Sequence, residues 1–112
     1  TMVDLIFRTN EKDYIVDWKS NILGGFPEGF GHSEIEKEMF SHHYVLQYHL
    51  YVLATHLFLS GRMEDYSYER NFGGVYYLFV RGMKVGTGQG IYFDLPDFET
   101  IQAMENFLVP KT

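Results

Sequence analysis

Two β-forming segments separated by four polar residues constrain this chain more than any other feature of it. Residues Met2 to Arg8 carry Val3, Ile6 and Phe7, and residues Asp13 to Lys19 run Asp-Tyr-Ile-Val-Asp-Trp-Lys. Both compositions favour strand. Between them, Thr9-Asn10-Glu11-Lys12 contains the turn former Asn10, so the pattern predicts a β-hairpin over residues 2–19 with a four-residue loop. Register follows from the loop. With Arg8 opposite Asp13, Asp4 stands across from Asp17. Side chains alternate faces along a strand, so Asp17 and Lys19 share one face and Trp18 takes the other. Directly opposed Cβ atoms lie about 4.5–5.5 Å apart. Two carboxylates that close repel unless a cation sits between them or one keeps its proton. A hard divalent cation such as Mg²⁺ meets that need through oxygen ligands. Lys19 beside it would orient or activate an attacking water, or offset charge growing on a phosphate. That is the chemistry of phosphodiester hydrolysis. From spacing alone, a surface ion pair between Asp17 and Lys19 is the plainer alternative.

Composition limits the other possibilities. The 112 residues suit one small domain, and 46% hydrophobic with 18% aromatic content is enough for a packed core rather than a disordered tail. The absence of Cys excludes a disulfide framework, a Cys-ligated zinc site and an iron–sulfur cluster. No apolar run reaches about 18 residues, so no membrane span is expected. The first residues lack a signal-peptide pattern, and a cytoplasmic setting is the expectation. A net charge of −6 argues against a freestanding nucleic-acid binder with a basic surface, though not against a carboxylate-bearing nuclease.

Further along, Ser20 to Gly31 is glycine-rich and reads as a loop. A helix is expected from about Ser33, with Ser33 as N-cap and Glu36 as its capping-box partner. Glu34, Glu36 and Glu38 at its start read as a solvated face. A second helix is expected over about 44–60, ending at Gly61, with Leu46, Leu50, Leu53 and Leu57 on one stripe and Tyr48, Val52 and Leu59 opposite. A helix apolar nearly all round is buried on several sides. Arg62 to Asn71 reads as a polar connector. A central strand is expected over about 74–81, a glycine-rich loop over Gly82 to Gly90, a short extended piece over Ile91 to Asp94, and a closing helix over about 97–108. His42, His49 and His56 recur every seven residues, roughly 10 Å apart on a helix and too far to share one metal, so they read as boundary residues. Gly82 to Gly88 lacks the Gly-Lys-Ser/Thr ending of a phosphate-binding loop.

Several segments together resemble a known family. Val3-Asp4-Leu5-Ile6-Phe7 followed by Asp17-Trp18-Lys19-Ser20-Asn21 resembles the nuclease core of the RecB family in the PD-(D/E)XK superfamily. Gln47 and Tyr51 match that family's Gln-X-X-X-Tyr motif on the second helix. Phe72 to Gly82 and Gln89-Gly90-Ile91-Tyr92 continue the likeness in order over nearly the whole chain. The resemblance implies an α/β, restriction-endonuclease-like fold, with a central mixed sheet flanked by helices and truncated at its N-terminus. It implies Asp4 and Asp17 as metal ligands, joined by the backbone carbonyl of Trp18, and Lys19 as the catalytic lysine. Gln47 and Tyr51 would touch the active site or the DNA strand. Mg²⁺ is the implied cofactor, with Mn²⁺ as a substitute, and ATP is used only by a motor domain that this sequence does not contain. The implied role is in an ATP-driven helicase–nuclease that processes double-strand breaks for recombination. DNA, the other subunits and a strand-exchange recombinase are the implied partners.

The family's further ligand, usually a His on an earlier helix, has no counterpart here, and Thr1 stands where the family often has Gly. The chain therefore reads as a piece of a longer protein, which by itself binds metal weakly and does not cut DNA. Apolar surface on the first strand or the long helix is expected to drive self-association. The alternative function is a nuclease-like domain that works by docking partner subunits or a recombinase.

Overall fold

The computed structural model describes residues 5–20, 32–83 and 86–111. Strands β1 (Leu5–Thr9) and β2 (Lys12–Lys19) form the first hairpin. Helices α1 (His32–Ser41), α2 (Tyr44–Arg62) and the short α3 (Tyr68–Asn71) follow. Strand β3 (Phe72–Phe79), a 3₁₀ turn at Val80–Gly82, strand β4 (Ile91–Asp94) and helix α4 (Phe98–Leu108) complete the order. The four strands form one mixed sheet in sequence order. β1–β2 and β3–β4 are antiparallel, and β2–β3 is parallel. A parallel neighbour needs a crossover, and the helical segment between β2 and β3 supplies it. The chain is α/β with helices packed on a mixed sheet, an architecture compatible with the nuclease-like core that the resemblance implies. None of the described helices is long and apolar enough to cross a membrane.

The hairpin register is the expected one: Leu5 pairs with Val16, Ile6 with Ile15, Phe7 with Tyr14 and Arg8 with Asp13. The loop is shorter than predicted. Thr9 and Lys12 are themselves paired, which leaves only Asn10 and Glu11 in the turn, at φ 52° and 68°. Two positive φ values mark a type I′ turn, whose twist matches that of the strands. The chain spends left-handed strain on Glu11 to obtain it. The bidentate Arg8–Asp13 pair, at 2.5 and 3.2 Å, closes the ladder beside the turn. Lys12 donates to the carbonyls of Glu69 and Arg70, and Asn71 donates to the carbonyl of Glu11, so the turn is tied to α3.

Alternation sorts the sheet residues onto two faces. Ile15, Val75, Tyr77 and Phe79 face the core, where they meet Ile35 and Met39 of α1, Tyr48, Val52 and Leu53 of α2, and Ile101 of α4. The other face carries an aromatic ladder with one ring from each strand. Phe7 stacks on Tyr14 at 5.1 Å between centroids, Tyr14 meets Tyr76 at 6.1 Å, and Tyr76 meets Phe93 at 4.8 Å.

Several sequence expectations need correction. Ser33 does not cap α1. It lies inside the helix, and its hydroxyl donates to Glu34. Glu38 is not merely solvated, because it pairs with His42 at 3.0 Å. Helix α2 runs through Gly61 to Arg62. Its leucine stripe does not face the core as a whole: Leu53 is buried, whereas Leu46 is 59% and Leu50 42% exposed. The connector contains a helix, α3, capped by Ser67, whose hydroxyl accepts from the Arg70 amide. The central strand starts at Phe72 rather than about residue 74 and ends at Phe79, one turn before Arg81. Ile91–Asp94 is extended as expected, and Asp97 stands at the N-cap of α4. The apolar exposure expected on the first strand and long helix is present at Leu5, Ile6, Phe7, Leu46, Leu50 and Phe58.

Buried tyrosines give the fold an alkaline limit. Burial, reinforced by Asp94 and Tyr92, holds the Tyr48 hydroxyl well above its usual range. Burial raises Tyr68 as well, and burial with nearby Glu69 and Asp13 pushes Tyr66 up to about 12. The folded state therefore binds these protons more tightly than the unfolded chain does. Stability is fully present below about pH 10 and falls as pH rises above it. Tyrosinate absorbance followed together with circular dichroism should show these three ionising only as the chain unfolds. Ionisation near pH 10 with the fold intact would contradict this.

Candidate nuclease site

Strand β2 and helix α2 meet at the candidate site, with β3 between them. Asp17 and Lys19 lie two residues apart on β2 and so face α2 together. Asp17 is only 2% exposed, and the Lys19 ammonium lies 3.5 Å from its Oδ1. This is not the surface ion pair that spacing alone permits, because the two side chains are 3% and 13% exposed. Trp18 points to the opposite face, with its ring half-exposed, as alternation requires. Asp4 lies outside the described residues, as do residue 21 of the motif and most of the loop after β2. The described ladder ends at Leu5–Val16, one pair short of Asp17.

The parallel partner of Asp17 is Tyr77, and that of Lys19 is Phe79. Paired residues of neighbouring strands share a face, so Tyr77 comes to lie under α2. Its hydroxyl donates to Oε1 of Gln47 at 2.5 Å. The Lys19 ammonium sits 4.5 Å from the ring centre of Tyr44 and 5.5 Å from that of Tyr77. Asp17, Lys19 and Gln47 are thereby joined into one cluster through two tyrosines. Tyr51, one turn beyond Gln47, lines a depression of about 390 Å³ with Gln47, His42 and His43. It also lines a second, of about 380 Å³, with Ile6, Asp13 and Phe58.

A second polar link runs beside the first. Tyr48 donates to Asp94 at 2.6 Å and lies 3.2 Å from the Tyr92 hydroxyl, which fastens α2 to β4. Tyr44, Gln47, Tyr48 and Tyr51 recur at i, i+3, i+4 and i+7, the spacing of one helix face. That stripe is legible in the sequence and is the one turned toward the sheet. The Gln-X-X-X-Tyr motif marks Gln47 and Tyr51 on it, whereas Tyr44 and Tyr77 belong to no motif and only the structure brings them to the site.

The three spaced histidines go separate ways. His42 pairs with Glu38, and Nδ1 of His49 bonds the Val45 carbonyl. His56 is buried, with Nδ1 at 2.7 Å from the Tyr66 hydroxyl and Nε2 at 3.6 Å from Glu105. Among the described residues, no group of three or more His, Asp and Glu side chains is arranged to hold a metal. The donors they would offer such a site are the buried Asp17 carboxylate and the neighbouring strand carbonyl of Trp18. Both are the hard oxygen donors that Mg²⁺ takes while keeping several waters.

No family model matches the sequence. Individual relatives do. The chain is 43% identical over 103 residues to the RecBCD enzyme subunit RecB of Haemophilus influenzae, a match covering 92% of this chain and 8% of that protein. It is 41% identical over 111 residues to the RecBCD enzyme subunit RecB of Escherichia coli, covering 98% of this chain and 9% of that protein. The RecBCD enzyme subunit RecB of Mycobacterium tuberculosis is 42% identical over 82 residues, which is 72% of this chain. The chain thus spans less than a tenth of the length of these curated relatives.

Proposed function

The chain belongs to the RecB family, and from that premise we propose that it is the nuclease core of a longer helicase–nuclease subunit, hydrolysing DNA phosphodiester bonds during double-strand-break processing for recombinational repair. The observation that carries this reading is the placement of Asp17 and Lys19 together on the buried face of β2. They lie 3.5 Å apart, on a strand whose pairing with β1 follows the predicted register from Thr9–Lys12 to Leu5–Val16. An ion pair set this deep costs desolvation that a surface pair does not. A working site gives a reason to keep it there.

In this reading Asp17, Asp4 and the Trp18 carbonyl hold Mg²⁺, or Mn²⁺ in its place. When bound, that ion supplies Lewis-acid stabilisation of the phosphate and a more acidic water. The chain's own part is electrostatic and positional. Asp17 provides a fixed anionic ligand that does not swing into solvent. Lys19 presents a positive charge where a phosphate gains negative charge or a water is turned for attack. Gln47, joined to the same cluster through Tyr77, and Tyr51, on the adjoining depression, border the path of the DNA strand. The ATP-driven motor lies elsewhere in the longer protein.

A second reading, docking of partner subunits or a recombinase, has an observation of its own. An apolar groove of about 500 Å³ between α1, α2 and α4 is lined by Phe40, Leu46, Leu50, Met104 and Leu108. It does not overlap the Asp17–Lys19 cluster, so both readings can hold for one domain. The test of the first is separation of function in the full-length subunit. Substitutions at Asp17 or Lys19 should remove cleavage and spare ATP-driven unwinding. Unchanged cleavage would leave the docking reading standing alone.

A further inference from the structure

The Lys19 side chain has four rotatable bonds, and the Asp17 carboxylate at 3.5 Å does not by itself fix the direction of its ammonium. The two tyrosine rings do. Tyr44 and Tyr77 stand with centroids 5.5 Å apart and planes inclined by 41°, forming a wedge over which the ammonium lies. Each ring is itself held. Tyr77 is fully buried, bonded through its hydroxyl to Gln47 and met edge-on by Tyr48 at 5.9 Å. Tyr44 stacks on His42 at 5.4 Å with an angle of 19°. Ring faces carry negative quadrupole density and attract an ammonium most strongly where water is scarce. That condition is met by a lysine side chain 13% exposed.

We propose that Tyr44 and Tyr77 are positioning residues that cradle the Lys19 ammonium, and that Gln47 acts on the site through the Tyr77 hydroxyl by locking one wall of that cradle. The proposal rests on the reading of Lys19 as the lysine acting at the scissile phosphate. It assigns a role to two residues outside the Gln-X-X-X-Tyr motif and gives Gln47 an indirect one. A role confined to packing would predict a different pattern. Loss of an aromatic face would then change melting temperature, and the Tyr77 hydroxyl would not matter to turnover.

The test has two readouts. In the full-length subunit within its complex, Tyr44→Leu should lower kcat for cleavage about tenfold, with KM for DNA and the unwinding rate unchanged. Tyr44→Phe, which keeps the ring, should restore kcat to within about twofold. Tyr77→Phe and Gln47→Leu should each lower kcat severalfold, and the double variant should be no worse than either alone, because both cut the same link. In this chain, the terminal methylene protons of Lys19 should be shifted upfield by the ring currents of Tyr44 and Tyr77 in the wild type. That shift should shrink in Tyr44→Leu and persist in Tyr44→Phe. If Lys19→Ala abolishes cleavage while Tyr44→Leu keeps wild-type kcat, the cradle is overturned and the lysine reading survives. If Lys19→Ala cleaves normally, the underlying reading fails. Should Tyr44→Leu not fold, Tyr77→Phe decides: wild-type kcat overturns the lock, and a severalfold loss shared with Gln47→Leu supports it.

Discussion

Replacing Asp17 by Asn in the full-length subunit is expected to lower DNA cleavage by about 10³-fold or more while ATP hydrolysis and unwinding continue at wild-type rates. Asn keeps the size of the side chain and removes the charge, so the variant isolates the electrostatic part. A carboxylate that anchors a catalytic cation is worth several kcal/mol of transition-state stabilisation, and each ~1.4 kcal/mol is a factor of ten. Asp17→Ala should cost activity equally but also lower the melting temperature, since it strips a 2% exposed carboxylate from beside the Lys19 ammonium. Lys19→Ala should lose about 10²–10³-fold, the usual loss when one charge stabiliser is removed from a site of this kind. Cleavage within tenfold of wild type in Asp17→Asn, with the protein folded, would contradict the assignment.

The second large effect is structural. Gly74→Ala should destabilise the chain by about 2–4 kcal/mol, lowering its melting temperature by roughly 10 °C or more. Gly74 has φ +131°, outside the region a residue with a Cβ adopts without strain. A Cβ there would fall 2.5 Å from the Phe93 ring and 3.1 Å from the Asp94 carbonyl. The ring can swing aside only by leaving Tyr76, its partner in the aromatic ladder, and the carbonyl belongs to the β3–β4 pairing. Gly73 is next to it, at the place where β2 and β3 shift register between Asp13 and Tyr14. Its missing Cβ makes room for the Tyr14 ring. Gly86 makes a control: φ is +80° but the space around it is open, so Ala should cost only about 1 kcal/mol. Denaturant unfolding of the three chains separates these cases, and equal stability of Gly74→Ala and wild type would contradict the account.

Much of the site was legible because strands obey a period of two. A polar interval between two β-forming runs was enough to set the Arg8–Asp13 pairing, and alternation along β2 alone put Asp17 and Lys19 on one face. The loop length was not legible, because a left-handed Glu11 runs against its own preference and the tertiary structure imposes it. Helix α2 was legible, and so was its burial on more than one side, since Tyr48, Val52, Leu53 and Leu59 are all buried. A leucine stripe is the usual sign of a core face, yet Leu46 and Leu50 are exposed, while Tyr48 and Gln47 find hydrogen-bond partners on the sheet, at Asp94 and Tyr77. Helix α3 is one turn long and has no periodicity to read. Tyr77 was hidden inside an apolar run that reads as core, and it is core, with a hydroxyl that reaches the site. Asp4, the other carboxylate of the predicted pair, lies outside the described residues.

If the proposed function holds, Asp4 and Asp17 make one divalent-cation site beside Lys19. Titration of Mn²⁺ into this chain by calorimetry, alongside Asp4→Ala and Asp17→Asn, tests it most directly. One weak site is expected in the wild type and in neither variant. Binding that survives both substitutions, or no binding in the wild type, would contradict it.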